Sequence, residues 1–96
     1  MKKATSWDAA DYLETAADIA AYLNAAFEDG DTSVIAAALG DVARAKGMTQ
    51  LAKETGITRD GLYKALSPTG NPSFDTVQKI LRAFGLRLDV ATSAQI

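Results

Sequence analysis

Arg59, Tyr63 and Lys64 stand in the stretch Leu51-Ala52-Lys53-Glu54-Thr55-Gly56-Ile57-Thr58-Arg59-Asp60-Gly61-Leu62-Tyr63-Lys64-Ala65-Leu66. Tyr63 lies four residues after Arg59, on the same side of a helix, and Lys64 is the next residue round. Their chemistry is recognition: a guanidinium donates two parallel hydrogen bonds to a flat acceptor edge, and an ammonium neutralises an anion. Bond-making chemistry is much less accessible. The chain has no Cys and no His, which removes Ser-His and Cys-His nucleophilic pairs and thiolate metal sites. The scattered Asp, Glu, Lys and Ser show no base–nucleophile arrangement. No catalytic activity, metal or cofactor is expected.

The spacing around this group is that of two short helices crossing at a sharp turn. Ala52 is small enough for close helix contact. Gly56 stands four residues later, where a positive φ costs a glycine nothing, and Ile57 plugs the corner. Leu62 and Leu66, one turn apart, face inward. This is the helix–turn–helix pattern of DNA-binding proteins, although any αα-hairpin with a tight turn shares part of it. The second helix would expose Thr58, Arg59, Asp60, Tyr63 and Lys64. Arg59 suits bidentate contact with guanine, while Asp60 suits cytosine N4 or an i,i+4 pair with Lys64. Tyr63 fits either a sugar and methyl contact or a shield over the core. The alternative for Arg59 and Lys64 is an ordinary solvated face.

Ninety-six residues make one domain, and 19 of them are alanine, so helix is the expected state. Thr15 is the expected cap of a helix with Ile19, Leu23 and Phe27 inward and Gly30 at its end. Thr32 or Ser33 begins the next, with Ile35, Leu39 and Val42 inward and Gly47 at its end. Short helices over 49–55 and 58–66 follow, capped by Thr49 and Thr58. Ser73 caps the last, with Phe74, Val77, Ile80, Leu81 and Phe84 inward and Gly85 closing it. A short helix or turn over Trp7–Leu13 precedes them all. Leu86-Arg87-Leu88-Asp89-Val90 alternates as a strand does.

Charge is unevenly spread. Residues 1–42 carry two basic and eight acidic side chains, and residues 43–96 carry eight basic and four acidic ones. Such polarity suggests two partners of opposite charge, or simply charged helical surfaces. A pI near 4.9 is low for a nucleic-acid binder, but the basic excess lies with the helix–turn–helix. The start Met1-Lys2-Lys3-Ala4-Thr5-Ser6-Trp7-Asp8 holds no apolar signal region, and no apolar run is long enough to span a membrane. A cytoplasmic protein without membrane contact is expected.

Several segments carry a family resemblance. They are Asp8-Ala9-Ala10-Asp11-Tyr12-Leu13, Asp18-Ile19-Ala20-Ala21-Tyr22-Leu23 and Ala37-Ala38-Leu39-Gly40-Asp41-Val42-Ala43-Arg44. Gln50-Leu51-Ala52-Lys53-Glu54-Thr55-Gly56, Leu62-Tyr63-Lys64-Ala65-Leu66-Ser67, Gly70-Asn71-Pro72-Ser73-Phe74 and Gly85-Leu86-Arg87-Leu88 complete the set. Across residues 7–92 the chain resembles addiction-module antidote proteins, the antitoxins encoded beside a small RelE/ParE-type toxin. Its fold resembles the lambda-repressor-like (XRE) class. Against that class, Thr49–Ala52 is about two residues short, so the first motif helix is expected to be stunted.

The pattern and the resemblance together give an all-α, lambda-repressor-like domain of five to six helices with a short C-terminal β-strand. Residues 1–30 are the N-terminal helical segment, 32–84 the DNA-binding core and 86–90 the strand. The resemblance implies an antitoxin that binds double-stranded operator DNA, represses its own operon and neutralises a toxin. The alternative is a stand-alone phage-type repressor with no toxin partner. DNA contacts are expected from Gln50, Thr58, Arg59, Asp60, Tyr63, Lys64, Thr69 and Asn71. Toxin contacts are expected from Trp7, Asp8, Asp11, Tyr12, Glu14 and Asp18, unless Trp7 and Tyr12 only cover the core. Leu86, Leu88 and Val90 would pair two copies antiparallel into a homodimer; pairing with a toxin strand, or folding back on the chain's own helices, are the alternatives.

Overall fold

The computed structural model describes residues 13–93, and among them it has five helices and no strand. These are α1 (Ala16–Asp29), α2 (Thr32–Lys46), α3 (Met48–Thr55), α4 (Arg59–Ala65) and α5 (Phe74–Ala83). Of the segment Trp7–Leu13, only Leu13 lies within the described residues, and it is buried. No described helix is long and apolar enough to cross a membrane.

Local chemistry sets the helix ends. Thr15 opens α1 with a reciprocal pair of bonds: its hydroxyl accepts from the Asp18 N–H at 3.0 Å, and the Asp18 carboxylate accepts from the Thr15 N–H at 3.2 Å. Thr32 begins α2, as expected. Its cap is Asp31, whose carboxylate accepts from the Ser33 N–H at 2.9 Å. That hydrogen bond is the main cause holding the Asp31 carboxyl below its ordinary value. Thr49, expected to cap the next helix, is not a cap. Helix α3 begins one residue before it, at Met48, and Gly47 precedes it with no side-chain bond. Met48 is buried, so packing of the first residue fixes this end where a hydroxyl does not. Thr58 and Ser73 cap α4 and α5 as expected.

The interior is one apolar cluster. Leu39 and Val42 from α2, Leu51 from α3, Leu62 from α4 and Ile80 from α5 are fully buried, and no polar side chain is buried among the described residues. Two aromatic residues leave the expected inner stripes. Phe27 is exposed and Ala26 is buried in its place. A helix turns by about 100° per residue, so two steps of four carry Phe27 well past the inner face, while Ala26, seven after Ile19, returns to it. Phe74 is 69% exposed. It is the first residue of α5, and helical side chains lean toward the N-terminus, here off the end of the helix.

The C-terminal strand is not seen. Gly85 takes φ +74°. Its N–H donates to the Arg82 carbonyl at 2.9 Å, and the Leu86 N–H donates to the Leu81 carbonyl at 2.9 Å. This paired closure ends α5 and turns the chain back. Leu86 and Leu88 then pack, half-buried, on the chain's own core, which accounts for the alternation with Arg87 and Asp89. Val90 runs past the core at 95% exposure. A strand needs a ladder partner, and none stands beside these residues among the described ones.

Helices α1 and α2 form a hairpin through Gly30 and Asp31. Across it, the Tyr22 hydroxyl donates to the Asp41 carboxylate, which also accepts from Arg44. Burial first, then Asp41, pushes the Tyr22 phenol up from 10.0 to about 12. A phenol that binds its proton more tightly when folded supports the fold fully below its unfolded value and less above it. The contribution of Tyr22 should therefore be constant below pH 10 and decline as pH rises from 10.0 to about 12. Denaturant unfolding across that window checks this, with Tyr22→Phe expected to remove that part of the decline.

Candidate nucleic-acid interface

Three local devices aim α4. The Thr55 hydroxyl donates to the Leu51 carbonyl at 2.8 Å and accepts from the Ile57 N–H at 3.2 Å, so it ties the end of α3 to the turn. Gly56 adopts φ +75° and its N–H donates to the Ala52 carbonyl, a left-handed closure that a side chain would strain. The Thr58 hydroxyl then accepts from the Gly61 N–H at 3.0 Å to start α4. Ile57 packs at the corner, and Leu62 and Leu66 are buried on the inner side. The outer side carries Thr58, Arg59, Asp60, Tyr63 and Lys64, all exposed.

These outer residues are paired among themselves. The Arg59 guanidinium lies 5.7 Å from the centroid of the Tyr63 ring and donates to its hydroxyl at 3.4 Å. A ring beneath a guanidinium holds it without neutralising it, and Arg59 has no carboxylate partner among the described ion pairs. Lys64 faces Asp60 at 3.9 Å with both more than four-fifths exposed; such a pair contributes little and separates readily. Gln50 is committed elsewhere, since its amide donates to Glu54 at 2.7 Å. That bond first, then Lys46, holds the Glu54 carboxyl below its ordinary value.

The loop after α4 is drawn against it. The Gly70 N–H donates to the Ser67 carbonyl at 2.8 Å with Pro68 inside the turn, a position proline favours. A Cβ at Gly70 would collide with the backbone carbonyls of Lys64 and Ala65. Exposed Thr69 and Asn71 therefore sit beside the C-terminal end of α4 and Lys64.

Sequence reasoning missed two neighbours of this surface. Arg44 lines a recess with Tyr63, Ser67 and Pro68. Phe74 stands exposed just after the loop. The signal for Phe74 was its place directly after the Ser73 cap. Of the acidic N-terminal set, Trp7, Asp8, Asp11 and Tyr12 lie outside the described residues. Glu14 and Asp18 are exposed, and Asp18 serves the α1 cap. No group of three or more potential metal ligands occurs among the described residues.

Sequence relationships assign the lineage of this chain. The profile of the family described as "Probable addiction module antidote protein" matches residues 3–92. An uncharacterized protein of Haemophilus influenzae is 46% identical over 87 residues, spanning 91% of this chain and 90% of that one. The chain therefore belongs to the probable addiction module antidote family, which implies a toxin partner of some kind. No solved structure gives a significant match.

Gly70→Ala should destabilise the protein by ~1–3 kcal/mol, because an added methyl has backbone and not a flexible side chain to displace. Urea unfolding checks this.

Proposed function

We propose that the chain is the antitoxin of a type II toxin–antitoxin pair, with α3 and α4 as a lambda-repressor-like helix–turn–helix on operator DNA and the acidic N-terminal third directed at a RelE/ParE-type toxin. Membership of the antidote family carries the toxin half of this reading. The observation that supports the DNA half is Arg59, placed in the first turn of α4, stacked on Tyr63 and free of any carboxylate in the described ion pairs. In a helix–turn–helix the first turn of the second helix meets base edges.

The roles divide by chemistry. Arg59 reads a guanine, and Tyr63 supports it and packs on sugar or a thymine methyl group. Lys64 leaves Asp60 for phosphate, and Asp60 is then available to a cytosine amino group. Thr69 and Asn71 approach phosphate from the loop. Thr58 acts chiefly as the cap of α4. Gln50 must exchange its Glu54 bond to reach DNA. One chain offers few cations, so a homodimer on a two-fold operator is the working form.

Binding to the DNA upstream of the protein's own gene tests this. Arg59→Ala should weaken specific binding by ~1–3 kcal/mol and relax preference at one base pair, whereas Lys64→Ala should weaken all sequences alike and lower the salt slope by about one. Fluorescence anisotropy titrations at several salt concentrations separate the two. Wild-type affinity in Arg59→Ala would remove α4 from the DNA.

A further inference from the structure

The α1–α2 hairpin has an open apolar groove of about 420 Å³ on its outer side. Ala26 and Ala38 are its buried floor, and exposed Val34 and Ala37 flank it. Asp29 stands at the turn end, and Asp41, bonded to Tyr22, stands at the other. The lining positions run from Tyr22 to Asp29 on α1 and from Val34 to Asp41 on α2. Each run covers eight residues, seven steps of rise or about 10 Å, which is two turns of helix. Small side chains on both walls leave room for a third helix to lie between two.

Charge selects the occupant. From residue 4 to residue 43 the sequence has eight carboxylates and no lysine or arginine. Glu28, Asp29 and Asp31 crowd the turn end of the groove, all exposed. Arg44, the first cation after this run, is held by Asp41. An apolar trough inside a field of one sign favours a segment that brings alkyl side chains to the centre and the opposite charge to the flanks. A second copy of this chain would bring the same carboxylates to the same place across a two-fold axis, which repels.

We infer that the groove between α1 and α2 receives an amphipathic helix of the toxin, with aliphatic side chains over Ala26 and Ala38 and lysine or arginine beside Asp29. This rests on the antidote reading above and places the contact on the α1–α2 surface itself. It adds Val34 and Ala37, which sequence reasoning never selected.

The test is a calorimetric titration of the full-length chain with the product of the reading frame adjacent to its gene. Ala37 is exposed in mid-helix, so charged substitutions there leave the helix intact. Ala37→Arg should weaken the complex about 30-fold or more, the loss expected at the centre of an interface. Ala37→Glu, of equal intrusion and opposite sign, should cost clearly less. Operator binding should be unchanged in both variants, and Arg59→Ala should leave the complex intact. If the wild type binds that protein and Ala37→Arg binds it equally, the groove is not the contact, while the antidote reading stands. If the wild type does not bind it, the antidote pairing itself fails. Equal losses in the Arg and Glu variants would overturn the basic partner. So would a wild-type self-association abolished by Ala37→Arg, which assigns the groove to a second copy. Unchanged binding with a destabilised free chain would assign it to the chain's own residues 1–12.

Discussion

Leu62 must stay dry for the rest of the structure to have a purpose. Helix α4 has seven residues, far too few to persist alone in water. Leu62 is its one fully buried side chain within that span, and it joins the cluster that holds Leu39, Leu51 and Ile80. Every exposed group on α4 takes its direction from this anchor. The Thr55, Gly56 and Thr58 bonds define the turn, but they are local and exposed to competition from water. Burial supplies what they lack, at roughly 25 cal/mol per Å² of apolar surface removed from solvent. The loop adds a second restraint, because Gly70 can rest on the carbonyls at the end of α4 only without a side chain.

Much of this was legible in the sequence, for a specific reason. Caps and stops are written in single residues: Thr15, Thr58 and Ser73 begin helices, and Gly30, Gly47, Gly56 and Gly85 follow them. What the sequence hid depends on where a residue falls relative to other elements. Phe27 and Phe74 fit a stripe on paper, yet one has rotated off the inner face and the other leans off a helix end. Thr49 looks like a cap until Met48, inside the core, is seen to set the start of α3. The alternation of Leu86–Val90 is real, but an extended chain lying on helices alternates just as a strand does. Of the candidate site, the outward group on α4 was legible because Leu62 and Leu66 fix the helix phase. Its internal pairing, Arg59 on Tyr63 and Gln50 on Glu54, depends on rotamers that no spacing reveals.

The uneven charge of the chain becomes a division of surface. Helix α2 is where the two regions meet. Its Asp41 belongs with Tyr22 on the α1 side, and its Arg44 reaches the recess beside Tyr63. The bond between those two side chains joins the acidic and basic halves across three residues of one helix. Elsewhere in the C-terminal half Lys46 pairs with Glu54, Lys64 with Asp60 and Lys79 with Asp75, whereas Lys53, Arg59, Arg82 and Arg87 stand in none of the described ion pairs. Of these four, Arg59 is the one set against an aromatic ring among the described contacts.

The order of packing along the chain has a kinetic meaning. Helix α1 packs on α2, α2 on α3, and α3 on α4 and α5, so each element meets a neighbour in sequence or the next but one. Few long loops must close before favourable contacts form. Chains organised this way search little and reach their native arrangement in microseconds to milliseconds. A newly made copy can be competent almost as soon as its last helix leaves the ribosome.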